Sequence, residues 1–202
     1  MELSEAVRRR RMVRSFSGRP PAGPALEEIL ASALRAPSAG NSGGLDLVVL
    51  EEPADREAFW EATTTGDWRA RSRRWPGLSR APVIIVLLAD AAAYLTRYGK
   101  EDKAGSGLGS VEAWPVPYWF VDGGMAALLL LLGAVPAGLG ACFLGNFRGE
   151  EALLQVLGVP EGRRYLGAVL LGEPGVDASD PPSPSLRRGG RRAVEVVHRG
   201  RW

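Results

Sequence analysis

The chain contains 202 residues and has a mass of 21.6 kDa, which is the size of one compact domain. Its 25 basic and 23 acidic residues leave a formal net charge of +2, which excludes a polyanion-binding surface over the whole chain. Hydrophobic residues make up 46% of the sequence and charged residues 24%, a composition that excludes wholesale disorder. The single cysteine, Cys142, excludes an intramolecular disulfide framework and is typical of a reducing compartment.

The N-terminal residues and one long uncharged stretch bear on the location of the protein. The first residues are charged and include no apolar segment of the kind found in a signal peptide, which predicts a cytoplasmic protein. Residues 123–147 carry no charge, but Pro136 and several glycines divide them into pieces shorter than the ~20 apolar residues of a membrane span. They favour a buried helix, a turn and a buried strand, with a membrane span as the alternative.

Hydrophobic periodicity predicts five helices and four strands, with a further short strand near the C-terminus. The strongest helical signal lies in residues 26–34, where apolar side chains recur at positions i, i+3, i+4, i+7 and i+8. The apolar run over residues 82–88 predicts a strand that is covered on both faces. In chain order, the predicted elements are a helix over residues 4–16, a helix over 26–34, a strand over 45–50, a helix over 54–62, a strand over 82–88, a helix over 118–135, a strand over 141–144, a helix over 150–157, a strand over 165–171 and a strand over 194–197.

The organisation of the chain is that of one unit with a loop and a tail. The sequence contains no internal repeat and no interdomain linker, so it predicts a single domain over residues 1–202. Helices mixed with strands predict a layered α+β or α/β domain. Residues 99–117 contain four glycines and two prolines and predict a long mobile loop, either a functional lid or a disordered surface insertion. Residues 181–202 begin with a Pro- and Arg-rich segment and predict a C-terminal tail.

Arginines near both ends of the chain are candidate ligands for an anion. Arg10 and Arg14 lie one turn apart in the predicted first helix, where two guanidinium groups can hold a phosphate. The alternative is a solvated basic face of that helix. A second cluster near the C-terminus favours a solvated tail, with a nucleic-acid-binding patch as the alternative. Its members are Arg187, Arg188, Arg191 and Arg192.

The loop over residues 37–44 is a second candidate site. Its small residues allow backbone amides to approach a ligand closely, and Ser38 and Asn41 add side-chain donors. A plain connection between helix and strand is the alternative.

Cys142 has no charged neighbour within three residues, which favours a buried structural thiol over a nucleophile. The only histidine, His198, cannot build a zinc centre without clustered partners, and no metal site is expected.

Several motifs, taken together and in order, resemble those of the nitroreductase family of FMN-dependent oxidoreductases. The matching segments extend over nearly the whole chain and are residues 10–16 (RRMVRSF), 36–41 (APSAGN), 81–85 (APVII), 119–124 (WFVDGG), 138–141 (GLGA), 157–160 (LGVP), 168–172 (AVLLG) and 195–198 (EVVH). The resemblance implies an α+β fold, built as a three-layer α/β/α sandwich with a mixed central sheet flanked by helices. It also implies an intertwined homodimer in which each flavin lies at the subunit interface.

The resemblance further implies which residues contact FMN. One arginine of the first motif would meet the phosphate and the other the pyrimidine edge of the ring, which implies these roles for Arg10 and Arg14. The arginine that completes the phosphate clamp aligns best with Arg191, next to Arg192. The implied cofactor contacts are Arg10, Arg11, Met12, Arg14, Pro37, Ser38, Ala39, Asn41, Phe143, Leu144, Gly145, Asn146, Arg191 and Arg192. Aromatic residues in or beside the predicted mobile loop are candidate acceptor contacts, namely Trp114, Tyr118 and Trp119.

The activity implied by the resemblance is the transfer of hydride from NADH or NADPH through FMN to a small organic acceptor of the nitro, quinone or ene type. A non-catalytic flavin-binding or flavin-sequestering protein of the same fold is the alternative. A basic nucleic-acid-binding domain is a third interpretation. Residues 42–45 (SGGL) stand where the family often has Gln followed by Pro-Trp, which implies a smaller wall beside the flavin.

Overall fold

Four strands form a central sheet in the part of the chain that the structure, a computed structural model, describes: residues 1–65, 77–146, 148–175 and 192–202. The strands are β1 (Leu45–Leu50), β2 (Val83–Asp90), β3 (Gly140–Leu144) and β4 (Arg163–Gly172). The helices of these residues are α1 (Leu3–Arg9), α2 (Gly23–Ala33), α3 (Pro53–Thr63), α4 (Ala91–Tyr98), α5 (Tyr118–Gly133), α6 (Glu150–Val156) and α7 (Ala193–Val196). Every element predicted between residues 26 and 171 is confirmed, with small shifts of its ends.

The strands lie in the order β1-β2-β4-β3, and each neighbouring pair is antiparallel. Leu45 pairs with Ala89 near one end of the sheet, and Ala141 pairs with Leu171 near the other end. Beside β3, the segment that follows α1 forms an isolated parallel bridge between Met12 and Ala141. The resemblance implied a mixed sheet. Among the described residues, the four strands pair only in the antiparallel sense, and this bridge is the only parallel pairing.

Helices cover both faces of the sheet. Residues 83–89 of β2 are at most 2% exposed. Alternate residues such as Ile85 pack with α2 and α5 on one face, and residues such as Ile84 pack with α3 and α6 on the other. Because neighbouring residues of a strand point to opposite faces, a strand covered on both sides is apolar without interruption. The expected three-layer α/β/α arrangement is therefore confirmed.

The predicted helix over residues 4–16 is wrong in its second half. The helix ends at Arg9, because Arg10 adopts φ −54° and ψ 129° and leaves the helical conformation. The chain then continues in an extended conformation, and the backbone N–H of Val13 donates a hydrogen bond to the carbonyl of Ala141 at 2.9 Å. Pairing with the edge of the sheet takes the place of the helical hydrogen bonds that the local sequence favoured.

The predicted strand over residues 194–197 is also wrong, since this segment forms the short helix α7. The carboxylate of Glu195 accepts a hydrogen bond from the backbone N–H of Arg192 at 3.2 Å. This contact satisfies a free N–H at the start of the helix, as the glutamate of a capping box does. Residues 181–191 of the predicted tail lie outside the described residues.

Residues 99–117 contain two 3₁₀ turns, Glu101–Ser106 and Val111–Ala113. Helix α4 immediately precedes them and was not predicted. The side chain of Asp90 caps α4 by accepting a hydrogen bond from the Ala92 N–H at 2.9 Å.

The apolar helix α5 has 16 residues, and within the described ranges no helix is both long and apolar enough to cross a membrane.

Candidate functional site

The N-terminal arginines lie in an extended segment beside the start of β3. Met12 bridges to this strand, and the Val13 side chain packs against Gly140. A Cβ atom at Gly140 would lie 2.7 Å from Cγ1 of Val13, so the absence of a side chain allows the segment to approach β3. Arg10 and Arg14 are therefore separated by about 13 Å of extended chain, rather than by one helical turn.

Arg10 places an unpaired hydrogen-bond donor in a buried position. Its Nη1 atom is buried and has no hydrogen-bond partner among the described residues. Because an unpaired buried donor costs free energy, this position fits an anionic ligand that accepts a charge-assisted hydrogen bond. The exposed Arg11 donates instead to the carbonyls of Arg8 and Arg10, at 2.8 and 3.1 Å. The partly buried Arg14 donates to the carbonyl of Met12 at 3.2 Å.

The segment over residues 143–146 runs along the end of β3 and beyond it. Phe143 and Leu144 are half-buried, and Gly145 is exposed. The Oδ1 atom of Asn146 is buried and has no hydrogen-bond partner within the described ranges. The edge at β3 thus carries an unpaired cationic donor before the strand and an unpaired acceptor after it.

The loop over residues 37–44 precedes β1 and is tightly turned. Gly40 and Asn41 both adopt left-handed backbone conformations, with φ of +62° and +54°. The hydroxyl of Ser38 accepts a hydrogen bond from the backbone N–H of Gly43 at 3.1 Å. The side chain of Asn41 is exposed, so this predicted cofactor contact remains open to a ligand.

Two side chains that the sequence analysis did not single out hold this loop from behind. The carboxylate of Asp122 on α5 accepts hydrogen bonds from the Ala39 N–H at 2.8 Å and from the Tyr94 hydroxyl at 2.7 Å. Arg97 on α4 donates from Nε to the carbonyl of Gly40 at 2.8 Å. Burial and the hydrogen bond to Asp122 raise the pKa of the Tyr94 hydroxyl above its usual value, so this group stays a donor at neutral pH. A lone acidic residue in the otherwise apolar helix α5 is the sequence signal that identifies Asp122.

The candidate acceptor contacts belong to an aromatic cluster between α4 and α5. Trp114 is 8% exposed, packs edge-on against Tyr98 with ring centroids 4.8 Å apart, and donates its indole N–H to the Leu108 carbonyl at 3.1 Å. Trp119 is 5% exposed in the same cluster. Tyr118 is 42% exposed and is the one member of the predicted trio that is open to a ligand in a single chain.

The predicted cofactor segments do not meet in one place within the described part of a single chain. Residues 10–14 and 143–146 flank β3, whereas the loop over residues 37–44 leads into the opposite edge strand, β1. The register places Leu45 and Ala141, beside the arginine segment, at diagonally opposite corners of the sheet, about 14 Å apart across the strands and about 20 Å along them. Residues 143–146 lie towards the same end of the sheet as the loop, since Leu144 is level with Val48 through Ala168 and Val86, and they are separated from the loop mainly across the strands. One chain therefore carries two separate parts of the predicted site.

The two C-terminal arginines that the resemblance assigns to the phosphate are Arg191 and Arg192. Arg191 lies outside the described residues. Arg192 is exposed, and its Nε atom lies 2.8 Å from Oε1 of Glu195.

Comparison with known proteins adds independent observations. The model of the nitroreductase family matches residues 7–173. A protein of Archaeoglobus fulgidus named "Putative NADH dehydrogenase/NAD(P)H nitroreductase" is 30% identical over 204 residues, which cover 100% of this chain and 99% of that protein.

Two solved structures share the fold. NfrA2 of B. megaterium superposes with a TM-score of 0.75 at 18% identity, covering 100% of this chain and 76% of that one. The structure of "a putative nitroreductase in complex with fmn" from Desulfovibrio desulfuricans superposes with a TM-score of 0.69 at 21% identity, covering 100% of this chain and 98% of that one.

Proposed function

This chain belongs to the nitroreductase family and is an oxidoreductase, and we propose that it passes hydride from NADH or NADPH through bound FMN to a small organic acceptor. The similar protein from Archaeoglobus fulgidus is named for NADH and NAD(P)H, and the similar structure from Desulfovibrio desulfuricans contains FMN. Both names support the choice of reductant and cofactor.

The unpaired Nη1 atom of Arg10 is the observation that carries the FMN proposal. This buried cationic donor and the buried acceptor of Asn146 lie in two of the segments that the family resemblance assigns to the flavin. FMN offers a phosphate and a ring edge with both donors and acceptors, so the residues present fit this cofactor. The flavin, when bound, accepts a hydride and passes it on.

The residues around the flavin bind it and adjust its electronics. Arg10 would hold the phosphate. Arg14 would place positive charge near the pyrimidine edge, where it favours the negative charge of the reduced ring. The loop over residues 37–44 would lie against the ring and exclude water from it.

Two glycines stand in this chain where the family resemblance implies a smaller wall beside the flavin. Gly44 stands close to Tyr94, and a Cβ atom at Gly44 would lie 2.5 Å from the Tyr94 ring. Neither Gly43 nor Gly44 adds a side chain over the site. We propose an acceptor of the nitro, quinone or ene type, the class that the family resemblance implies.

A homodimer would complete the site. Tyr118, Val121, Met125 and Leu128 form an apolar stripe on α5 and are between 38% and 49% exposed in the single chain. Apolar patches of this kind mark association surfaces. Because the loop and the arginine segment lie at opposite corners of one chain, the loop of a partner chain can supply the missing part of each flavin site.

The location of the protein is proposed from its cysteine content. The only cysteine, Cys142, is 3% exposed, and its Sγ atom lies 3.7 Å from the Phe143 carbonyl. The absence of a disulfide framework from the sequence supports a cytoplasmic location.

Anaerobic reduction of the FMN-loaded protein by NADH and NADPH, followed in parallel by flavin absorbance, tests the proposal. We expect a yellow protein that binds FMN stoichiometrically and loses its flavin absorbance with at least one nucleotide. Binding of FMN without reduction by either nucleotide would identify the non-catalytic flavin-binding alternative. Failure to bind FMN would contradict the proposed function.

A further inference from the structure

Asp122 is an acidic side chain that is only 6% exposed in the single chain. It forms no salt bridge with the cations of the described ranges, and its Oδ2 atom accepts two hydrogen bonds from neutral donors. Burial of a carboxylate is costly unless hydrogen bonds compensate it, and hydrogen bonds to an ionised acceptor are stronger than those between neutral groups. The Tyr94 hydroxyl and the Ala39 N–H provide this compensation.

The bond to Ala39 fixes the orientation of the peptide group between Ser38 and Ala39. The N–H of this peptide points inward to Asp122, and its carbonyl accepts a hydrogen bond from the Asn41 N–H at 2.8 Å. The next two residues, Gly40 and Asn41, adopt left-handed conformations. Asn41 in particular pays a conformational penalty there, so the surrounding contacts must maintain the turn.

Apolar and polar contacts both hold the loop, and Ala39 packs against the aromatic cluster that contains Tyr94, Trp114 and Trp119. A cavity of about 100 Å³ lies between the loop and the end of α2, with Tyr94 and Asp122 among its lining residues. The loop is held there by its polar contacts with Asp122 and with Arg97. The residue Asp122 is buried, whereas Arg97 is half-buried.

We propose that Asp122 is a positioning residue that holds the loop over residues 37–44 in the conformation that receives FMN. The carboxylate acts from behind the loop through the Ala39 amide, and Tyr94 orients the carboxylate. Pro37 and Asn41 stay exposed and are open to the flavin. This inference rests on the proposed FMN-dependent function.

The test compares Asp122→Asn and Tyr94→Phe with the control Asp55→Asn. Asp55 is an exposed acidic residue on α3, which packs on the other face of the sheet. Amide hydrogen exchange of the FMN-free protein measures the loop directly, and fluorescence titration measures FMN affinity. We expect Asp122→Asn to accelerate exchange at residues 38–44 by about tenfold and to weaken FMN binding by about tenfold, because a charge-assisted hydrogen bond is lost. Tyr94→Phe should give smaller changes in the same direction, and Asp55→Asn should give none.

The two measurements separate the positioning role from a general structural one. Faster exchange confined to the loop supports positioning, whereas faster exchange throughout α2, α5 and the sheet shows a structural role and overturns the inference. Unchanged loop exchange in a folded Asp122→Asn variant also overturns it. If Asp122→Asn does not fold, Tyr94→Phe decides by the same criteria. Failure of the wild-type protein to bind FMN would contradict the proposed function instead, since the exchange measurement needs no FMN.

Discussion

Arg10 is half-buried at the end of α1, and its unpaired Nη1 atom is the strongest residue-level sign of an anion site. We expect Arg10→Ala to weaken FMN binding by about 1.5–3 kcal/mol, because a charge-assisted contact to the phosphate is lost. Binding of riboflavin, which has no phosphate, should change little. Titration of both flavins checks this, with Arg9→Ala as the control because Arg9 is exposed and pairs with Glu5. Equal losses for the two flavins would contradict a phosphate contact.

Arg14 should act on the ring rather than on the phosphate. In the extended segment it stands about 13 Å along the chain from Arg10, a distance that suits two contacts at different points of one long ligand. We expect Arg14→Ala to lower the two-electron potential of the bound flavin by about 30 mV, which corresponds to a tenfold change in the equilibrium. Arg14→Lys keeps the charge and should retain most of the potential. A potential that is unchanged in Arg14→Ala would exclude a role beside the ring.

The proposed cofactor contacts were easier to identify from the sequence than the residues that support them. Arg10, Arg14 and the loop lie in short contiguous motifs, which a sequence displays directly. The sequence marks Asp122 as the one acidic residue of α5, but its partners Ala39 and Tyr94 lie 83 and 28 residues away, so its role appears only when tertiary structure brings them together. Side chains that act at such separations leave no local pattern of spacing.

At the scale of elements, residues 99–117 are joined to the loop over residues 37–44 through Arg97. This side chain donates to the Gly40 carbonyl and also binds Asp102 with both terminal nitrogens, at 2.8 and 2.7 Å. The hydrogen bond from Arg97 lowers the pKa of the Asp102 carboxyl below its usual value. The pair is therefore formed at neutral pH and is lost only as the pH falls through that lowered pKa.

We expect Asp102→Asn to loosen the segment over residues 101–113 while sparing FMN affinity, because the bond from Arg97 to the loop remains. Hydrogen exchange of the segment should rise, and the KM for an acceptor should change while the FMN dissociation constant stays the same. Glu101→Gln is a matched control, since Glu101 is an exposed neighbour. Loss of FMN affinity without a change in acceptor kinetics would place the segment in the cofactor site instead.

Elements with a strong hydrophobic pattern were predicted well from the sequence. Elements whose ends or type depend on contacts with other segments of the chain were not. The apolar run of β2 and the apolar spacing in α2 arise because the side chains of these elements are buried, so both elements can be identified from the sequence. The end of α1 depends on pairing between Met12 and β3, which competes with helical propensity. Val194, Val196 and Val197 favour a strand by residue type, yet α7 forms with Glu195 bonded at its start.

At the scale of the whole molecule, the exposed stripe on α5 and the separation of the two parts of the site lead to the same expectation. The wild-type protein should be a homodimer in dilute solution, because a single chain leaves Met125 and Leu128 in water and its own loop far from Arg10. Light scattering of the FMN-bound protein measures this. A monomer with stoichiometric FMN would show that one chain completes the site alone.

We expect Met125→Lys combined with Leu128→Lys to produce monomers, because the four lysines of a dimer would be buried at the interface without partners. FMN affinity should fall when dimerisation is lost, since the loop of the partner would no longer reach the flavin. Val156→Lys is the control: Val156 is 53% exposed on α6, away from the stripe, and its replacement should leave both the dimer and FMN binding intact. Lysine variants that stay dimeric would exclude this face of α5 from the interface, and monomers with undiminished FMN affinity would show that the loop of the partner is not part of the site.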